Sequence, residues 1–587
     1  MQREHMISTD VLIIGGGVAG CFAAIEAKRR NVDVIIVDKA YAGKSGSSIM
    51  ASGWWGYFDP KHYDKLDETI DLISKGGEYI NNREWTRIIL KESHSTFQNI
   101  ISWGVELPVK LEETRTWWRE NIAGGVKGRR GDPGYPYFIQ APLRHRKLAP
   151  ALRRQAERAG VKIIDRVMIV DLMRSKDERA AGAVGFSLDT EDFYIFRAKA
   201  TVLAAGWTTF KLAAGYHNLA LTGDAEAMAY RSGAEITGKE FQESCHFNLT
   251  DFPHAWKSNA EIYPAYWRFV DAEGREIGPW ELGPNSTVLA FHAGRGPIYW
   301  DFDDATPEEK EAIRKYIWKR GNPIELERIG FDPFKGGKYR IFGGCAAGSS
   351  FPQSTGIWLI DMNCSSTIKG LYVAGDCCAT YCWGAIGRLP IPPAGLTPAA
   401  VTGRRAGAAA AEYALRSDLP EVSRDEIEGL RDVVYAPLNR RSGFDPMWVT
   451  RLIQSIIVPY YILYIKHERR LQAALTLIEF LRDHMVPRLY ARDPHELRLA
   501  HEVKNMVLNA EMILRASLFR TESRGVHYRE DYPYRRDPEW LAWTKIREEK
   551  GEMKLYKEPI PREWWPDLTK PEEERYPFMF PKFQRGD

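Results

Sequence analysis

The stretch "VLIIGGGVAGCFAAIEAKRRNVDVIIVDK", residues 11–39, constrains the fold of this chain more than any other. Apolar "VLII" breaks into glycine, a helical run follows, and "DVIIVDK" ends in acid. That is a βαβ unit of the length a parallel sheet needs. Gly15, Gly17 and Gly20 stand in the order G-x-G-x-x-G between strand and helix, and Asp38 lies 18 residues beyond Gly20. In that context the backbone can approach a pyrophosphate at the positive helix N-terminus, while the acid accepts ribose hydroxyls. An acid there also disfavours a 2′-phosphate. The unit reads as a dinucleotide seat.

The 587 residues exceed one compact core and predict roughly two to four domains. A formal charge of +3 makes no global case for nucleic acid or an anionic membrane as partner. Seven cysteines are too few for a disulfide framework, and "MQREHMISTD" lacks an apolar leader, so a cytoplasmic location is expected. No run reaches the roughly 20 apolar residues of a bilayer span. The best, "LIQSIIVPYYILYI" at 452–465, is interrupted by Pro459 and reads as a buried helix.

Further strands are predicted in "VKIIDRVMIVDLM" and "FYIFRAKATVLAAG". Residues 246–344 turn aromatic and rich in Pro and Gly, as an inserted domain would. Strands resume at "GIWLIDM" and "GLYVAGD", so the first domain is discontinuous, 7–245 plus 345–420. Residues 421–545 carry helical periodicity, and 546–587 are rich in Pro, Trp and Phe without periodicity. So aromatic a tail is expected to lie as an extended arm on this protein or on a partner, with a disordered tail as the alternative. The strand "ATVLAAG" (200–206) ends in a small-residue turn, Gly223 and Asp224 open a helix, and Asp376 ends another strand beside glycine. A carboxylate there suits a ribityl chain, which selects FAD over NAD.

Two segments carry a resemblance. "AEMILRASLFRTESRGVHYREDYP" (510–533), with Glu522-Ser523-Arg524-Gly525 and His527-Tyr528-Arg529, and "GRGPIYWDF" (294–302) resemble motifs of a flavoprotein superfamily. Its members are the FAD subunits of succinate dehydrogenase, fumarate reductase and adenylylsulfate reductase, and the likeness spans about 7–545. The chain is identified as a divergent member. The resemblance implies an α/β fold: a two-lobed Rossmann-like FAD-binding domain, an inserted α+β capping domain and a C-terminal helical domain. It implies FAD held by Gly15, Gly17, Ala19, Gly20, Asp38, Lys39, Ser45, Gly46, Ser47, Gly53, Met168, Ala205, Gly206, Asp224 and Asp376. It also implies a ferredoxin-like iron–sulfur partner subunit in a hetero-oligomer, since this chain has no C-x-x-C run of its own. Cys377, Cys378 and Cys382 lack ligand spacing and are read as small buried residues, with redox or metal chemistry as the alternative.

The chain also departs from the superfamily pattern. In "KSGSSIMASGWWGYF" (44–58), Gly46 stands where succinate dehydrogenases carry the histidine that bonds flavin, so FAD is expected to be noncovalent. Trp54, Trp55 and Tyr57 would stack on a ring substrate, shield the flavin or pack the cap hinge. Tyr263 falls near the place of the fumarate proton-donor arginine, and His246 near a family histidine. "RIFGGCAAGSS" offers Cys345 in place of another histidine. In "WGAIGRLPIPPAG", Arg388 matches the family's anion clamp, with Arg295 of the cap motif as a second candidate. Proton transfer would fall to His246, Tyr263 or Glu243. The implied function is an FAD-dependent oxidoreductase subunit passing electrons between a small anionic substrate at flavin N5 and the partner. The alternatives are adenylylsulfate reduction, or an electron relay without its own substrate.

Overall fold

The computed structural model describes residues 3–50, 54–107, 137–143, 147–210, 221–243, 268–277, 286–314, 330–341, 349–350, 353–385, 395–576 and 578–580. β1 (Glu4–Ile14), α1 (Val18–Lys28) and β2 (Val34–Asp38) form the opening unit. Val11–Ile14 and Val34–Val37 are buried throughout, which is why these runs are continuously apolar instead of alternating. The sheet continues with β3 (Lys162–Asp165), β4 (Val167–Arg174), β5 (Ala180–Ser187), β6 (Phe193–Leu203) and β7 (Leu371–Val373). Its order is β3-β2-β1-β6-β5-β4, with β7 also paired to β6. β3, β2, β1, β6 and β7 run parallel, and β4-β5-β6 is an antiparallel meander.

α2 (Asp224–Arg231) follows the strand-end turn after β6, and α3 (Leu396–Leu415) returns along α1. The α1–α3 contact is backbone on backbone. A Cβ at Gly403 would stand 2.4 Å from the Ala19 carbonyl oxygen, and one at Gly407 2.1 Å from that of Ala23. Small residues therefore set the approach of these helices.

The insertion leaves and returns through an antiparallel stem, Gln242–Glu243 against Ser349–Ser350. Within it lies a three-stranded antiparallel sheet, Phe269–Val270, Ile298–Asp301 and Lys338–Ile341, with helices Ser286–His292 and Pro307–Ala312. Trp300 fills its interior, stacked on Phe269 and Phe331.

The C-terminal region opens with the helix Arg424–Tyr435 and is built mainly on α4 (Pro446–Ile457), α5 (Glu468–Phe480) and α6 (Pro494–Phe519). Asp445 and Asp493 cap α4 and α6, each ahead of a proline whose missing N–H costs nothing at the first helical position. α4 and α5 pack on α6 around Ile453, Leu475, Ile478, Val503 and Val507. Pro459 splits the apolar run into α4 and a short helix, Tyr460–Leu463. Among the described residues no helix is long and apolar enough to cross a membrane.

The tail departs from a featureless arm. β8 (Ala542–Glu549) and β9 (Glu552–Pro559) form a hairpin through Lys550 and Gly551, both at positive φ (55° and 82°). β8 pairs with Ile236–Thr237 and so joins a five-stranded sheet that includes Gly356–Trp358 and Cys378–Ala379. A division at 545/546 therefore cuts a strand. Further on, Tyr576, Phe578 and Phe580 set their rings 4.2, 5.1 and 4.7 Å from the Arg535 guanidinium, which a buried Glu78 also holds. The stretch that carries these rings lies on this protein. Phe578→Ala is expected to lower the unfolding free energy by about 3 kcal/mol, read from urea denaturation. An unchanged midpoint would mean the ring is not part of the core.

Candidate functional site

Where β1 ends, the Gly15 N–H donates to the Val37 carbonyl (2.8 Å), and the turn doubles back into α1. A Cβ on Gly20 would lie 1.9 Å from the Gly15 oxygen, so only glycine lets the helix start this close to the strand. Asp38 at the end of β2 accepts the Gly16 N–H (2.8 Å), the Ala40 N–H (2.8 Å) and the Ser45 hydroxyl (3.3 Å). Its carboxylate thus pins the glycine turn to the segment carrying Ser45, Gly46 and Ser47. Ser48 accepts the Val18 N–H at 3.0 Å and closes the same loop onto α1. Two observations show that a dinucleotide fits this cradle. Among the described residues the Ser47 hydroxyl oxygen is buried without a partner, and a Cβ on Gly46 would meet nothing within 4 Å. Such an orphaned hydroxyl awaits a ligand atom.

The turn carrying Ala205 and Gly206 follows β6, tied to β1 by the Ala204 N–H on the Ile14 carbonyl (2.9 Å). Asp376 stands half-buried in the turn after β7, its Oδ1 3.4 Å from Gln353 Nε2. That turn touches the seat, since a Cβ on Gly375 would come 2.7 Å from that of Ala19. Glycine seat, 204–206 turn, Asp376 turn and the start of α3 thus converge at the C-terminal ends of the parallel strands β1, β6 and β7. Met168 stands apart: its side chain fills a core cluster with Val170, Met173 and Phe186.

Lys39 and Asp224 meet each other. Lys39 Nζ lies 2.7 Å from Asp224 Oδ2 and 2.8 Å from Glu502 Oε1. Burial alone would pull this ammonium down, but the two carboxylates outweigh it and raise it to about 12. Asp224 Oδ1 accepts from Thr222 (2.8 Å) and Asn505 (2.8 Å), so both its oxygens are engaged within the protein. Asp224 therefore fixes Lys39 and α6 at the rim.

The cysteines behind Asp376 are packing groups. The Cys377 thiol donates to the carbonyls of Ala374 (3.3 Å) and Leu203 (3.4 Å), and that of Cys378 to Gly375 (3.0 Å). Burial pushes Cys377 up to about 12 and raises Cys378 and Cys382 as well, which keeps them protonated and unreactive.

Arg295 sits beside the cap sheet, its Nε 2.8 Å from Asp271 Oδ2, a carboxylate shared with Arg275 (2.9 Å). Glu243 lies on the stem. Gly53, His246, Tyr263, Cys345 and Arg388 fall outside the described residues.

Two buried charged groups carry no clear mark in the sequence. Lys239 Nζ lies 2.5 Å from Glu226 Oε2 and 2.8 Å from Asn509 Oδ1, all fully enclosed. Lys466 donates to the Glu240 carbonyl (2.6 Å) and to His527 Nδ1 (2.8 Å), while His527 Nε2 faces the Arg520 carbonyl (3.2 Å). That geometry fixes His527 as the tautomer protonated at Nε2. Burial draws Lys466 down to about 7 and His527 well below its usual range. Among the described residues, Glu226 Oε1, Glu240 Oε2 and Gln242 Oε1 are buried without a hydrogen-bond partner. Glu240 and Gln242 show in the sequence only as part of "TGKEFQE", a polar run leading to the insertion.

Residues 10–259 match the model of an FAD binding domain, and residues 457–576 that of the fumarate reductase flavoprotein C-terminus. A CoM/CoB fumarate reductase subunit of Methanothermobacter marburgensis is 26% identical, over 92% of this chain and 97% of that one. An uncharacterized FAD-dependent oxidoreductase of Methanocaldococcus jannaschii is also 26% identical, over 93% of this chain and 97% of its own length. Among solved structures, adenylylsulfate reductase of Archaeoglobus fulgidus shares the fold with a TM-score of 0.77 at 22% identity, over 96% of this chain and 97% of that one.

Gly20→Ala is expected to drive α1 from the seat, so the purified variant should lack the visible absorbance of a bound flavin. Full flavin content would show that the close approach is not needed. Lys466 gives a pH signature. The unfolded chain keeps this lysine protonated up to its usual value of 10.5, whereas the fold releases the proton near 7. Stability should therefore rise with pH across that window, by up to about 1.4 kcal/mol per unit from this site. Lys466→Met should flatten the slope of urea midpoint against pH; an unchanged slope would mean the lysine is charged when folded.

Proposed function

Because the chain belongs to the flavoprotein superfamily of succinate dehydrogenase, fumarate reductase and adenylylsulfate reductase, we propose that it binds FAD noncovalently and passes electrons between a small anionic substrate and an iron–sulfur partner subunit. The observation that carries this reading is the convergence of the glycine seat, the 204–206 turn, the Asp376 turn and the start of α3 at the C-terminal ends of β1, β6 and β7. Bound there, FAD supplies N5 as the point of hydride or electron-pair exchange. Gly46 leaves no side-chain nucleophile where a tether would form, which supports noncovalent attachment.

Arg388 clamps the substrate anion with its planar fork, and Arg295, oriented by Asp271, assists from the cap. Proton delivery falls to His246, Tyr263 or Glu243. The unpaired buried acceptors at Glu226, Glu240 and Gln242 support ordered water at the base of the insertion. The M. marburgensis relative is named as one subunit of a fumarate reductase, which favours a subunit role here. The partner would be ferredoxin-like and the complex cytoplasmic. Chemistry at carbon or at sulfur is decided by the substrate, not by the seat.

The test is anaerobic. The reduced protein is mixed with fumarate, with adenylylsulfate, or with a ferredoxin-type iron–sulfur protein, and flavin absorbance is followed. Rapid reoxidation by the enoate places the chemistry at carbon, and by adenylylsulfate alone at sulfur. Response to the iron–sulfur protein only would replace the proposal with a pure relay. Arg388→Ala should cut turnover with the responding substrate by about 100-fold or more, leaving electron exchange with the iron–sulfur protein intact.

A further inference from the structure

The insertion meets the rest of the chain at its base and again along the helix Ser286–His292. At the base, Glu240 receives Arg520 on its carboxylate (2.8 Å) and Lys466 on its carbonyl (2.6 Å). Along the helix, Val288 and Leu289 are buried in the apolar cluster built on α4, α5 and α6. The helix ends in a polar contact. His292 Nε2 lies 2.6 Å from Glu530 Oε1, and because a carboxylate only accepts, the proton sits on Nε2. The His292 ring also stands edge-on to Tyr460 at 6.0 Å. On the other side, Glu530 Oε2 accepts from Arg470, itself fixed on the carbonyls of Tyr461 (2.9 Å) and Ile465 (2.8 Å). The Glu530 N–H donates to the Lys466 carbonyl at 2.9 Å. Backbone and carboxylate of Glu530 are thus both anchored in the C-terminal region, and one oxygen is turned to the cap.

Arg295 lies three residues beyond His292, across a tight helix end. The Gly294 N–H donates to the Phe291 carbonyl (3.0 Å) and the Arg295 N–H to that of Ala290 (3.0 Å), with Gly294 at a φ of 71°. That pair of bonds is a Schellman motif, which ties Arg295 rigidly to the last turn of the helix. Any rotation of the helix therefore carries the arginine with it. Burial of Val288 and Leu289 holds the helix down but has no direction, whereas a hydrogen bond to a carboxylate does. We propose that Glu530 positions Arg295 for the substrate anion, acting through His292 and this last turn. The inference rests on the anion-binding role given to Arg295 above. The segment from Arg520 to Glu530 then sets the cap at both ends, through Glu240 at the base and through His292 at the helix.

The flavin-loaded full chain is compared with its variants by amide hydrogen exchange, which needs no turnover. The Gly294 and Arg295 amides should exchange about 10-fold faster in His292→Leu, which loses a hydrogen bond to a charged group. His292→Gln places an amide N–H near the position of Nε2 and should keep the protection of the wild type. Glu530→Ala should match His292→Leu, and the double variant should be no looser than either. Turnover is read as reoxidation of the reduced flavin by fumarate or by adenylylsulfate. There His292→Leu should raise KM about 10-fold while kcat stays within about two-fold, and should add nothing once Arg295→Ala is present. Unchanged protection of the two amides in His292→Leu would overturn the proposal. So would additive losses in the double variant, or a KM effect that persists in full beside Arg295→Ala. A chain that neither acceptor reoxidises would bring down the functional reading and the anion with it, while the exchange result would still decide whether Glu530 fixes the helix end.

Discussion

The backbone contact between α1 and α3 governs the architecture of the first domain. α1 hangs from the glycine turn, and α3 begins at the strand ends where the seat lies. Because Gly403 and Gly407 bring the α3 backbone against Ala19 and Ala23, the two helices cannot shift without disturbing the turn that α1 starts from. Packing of this kind is dense and unforgiving, since there is no side chain to rearrange. It also joins distant sequence. A helix near residue 400 holds the conformation of a turn near residue 17, and the discontinuity of the domain becomes part of its rigidity.

A second tie is electrostatic. The signature Glu522-Ser523-Arg524-Gly525 works as a buried clamp. Arg524 donates to both oxygens of Glu522 (2.7 and 2.9 Å), to Asp537 (2.6 Å) and to the Glu78 carbonyl (3.0 Å). Arg520 bridges Glu522 (2.9 Å) and Glu240 (2.8 Å). Charges so deeply buried are tolerable only when every one is paired, and removal of one partner leaves the other stranded. The segment by which the chain resembles its superfamily thus joins the C-terminal region to the first domain and to the base of the insertion. None of its ions needs to touch a substrate.

What is legible in the sequence is local. The glycine turn, Asp38, Ser45 and Ser47 lie within one βαβ unit and its following loop, so spacing alone brings them together. Asp224 shows the limit. A Gly-Asp pair at a helix start reads as a ligand group, yet its carboxylate is taken by Lys39 and Asn505, far off in sequence. Lys239 and Lys466 give no sign because a lysine normally signals solvent, and only the fold shows the carboxylate or histidine that receives it. The hairpin of β8 and β9 is hidden because lysine and glutamate alternate with its apolar residues, and because its turn signal is no more than Lys550-Gly551. Its partner strand, Ile236–Thr237, is two residues long and lies some three hundred residues earlier.

The place of β7 has a consequence for the birth of the molecule. The sheet that holds the seat is complete only when Leu371–Val373 docks on β6, and α3 follows later still. At ribosomal speeds of about 5–20 residues per second, roughly 20–70 s separate synthesis of β1 from synthesis of β7. During that interval the nascent chain carries a glycine turn without its supporting helix and a β6 edge without its neighbour. Unpaired edges of this sort invite pairing with other chains, so early synthesis calls for shielding by chaperone or ribosome surface. Cofactor loading then becomes a late event in biogenesis, after most of the polypeptide has emerged.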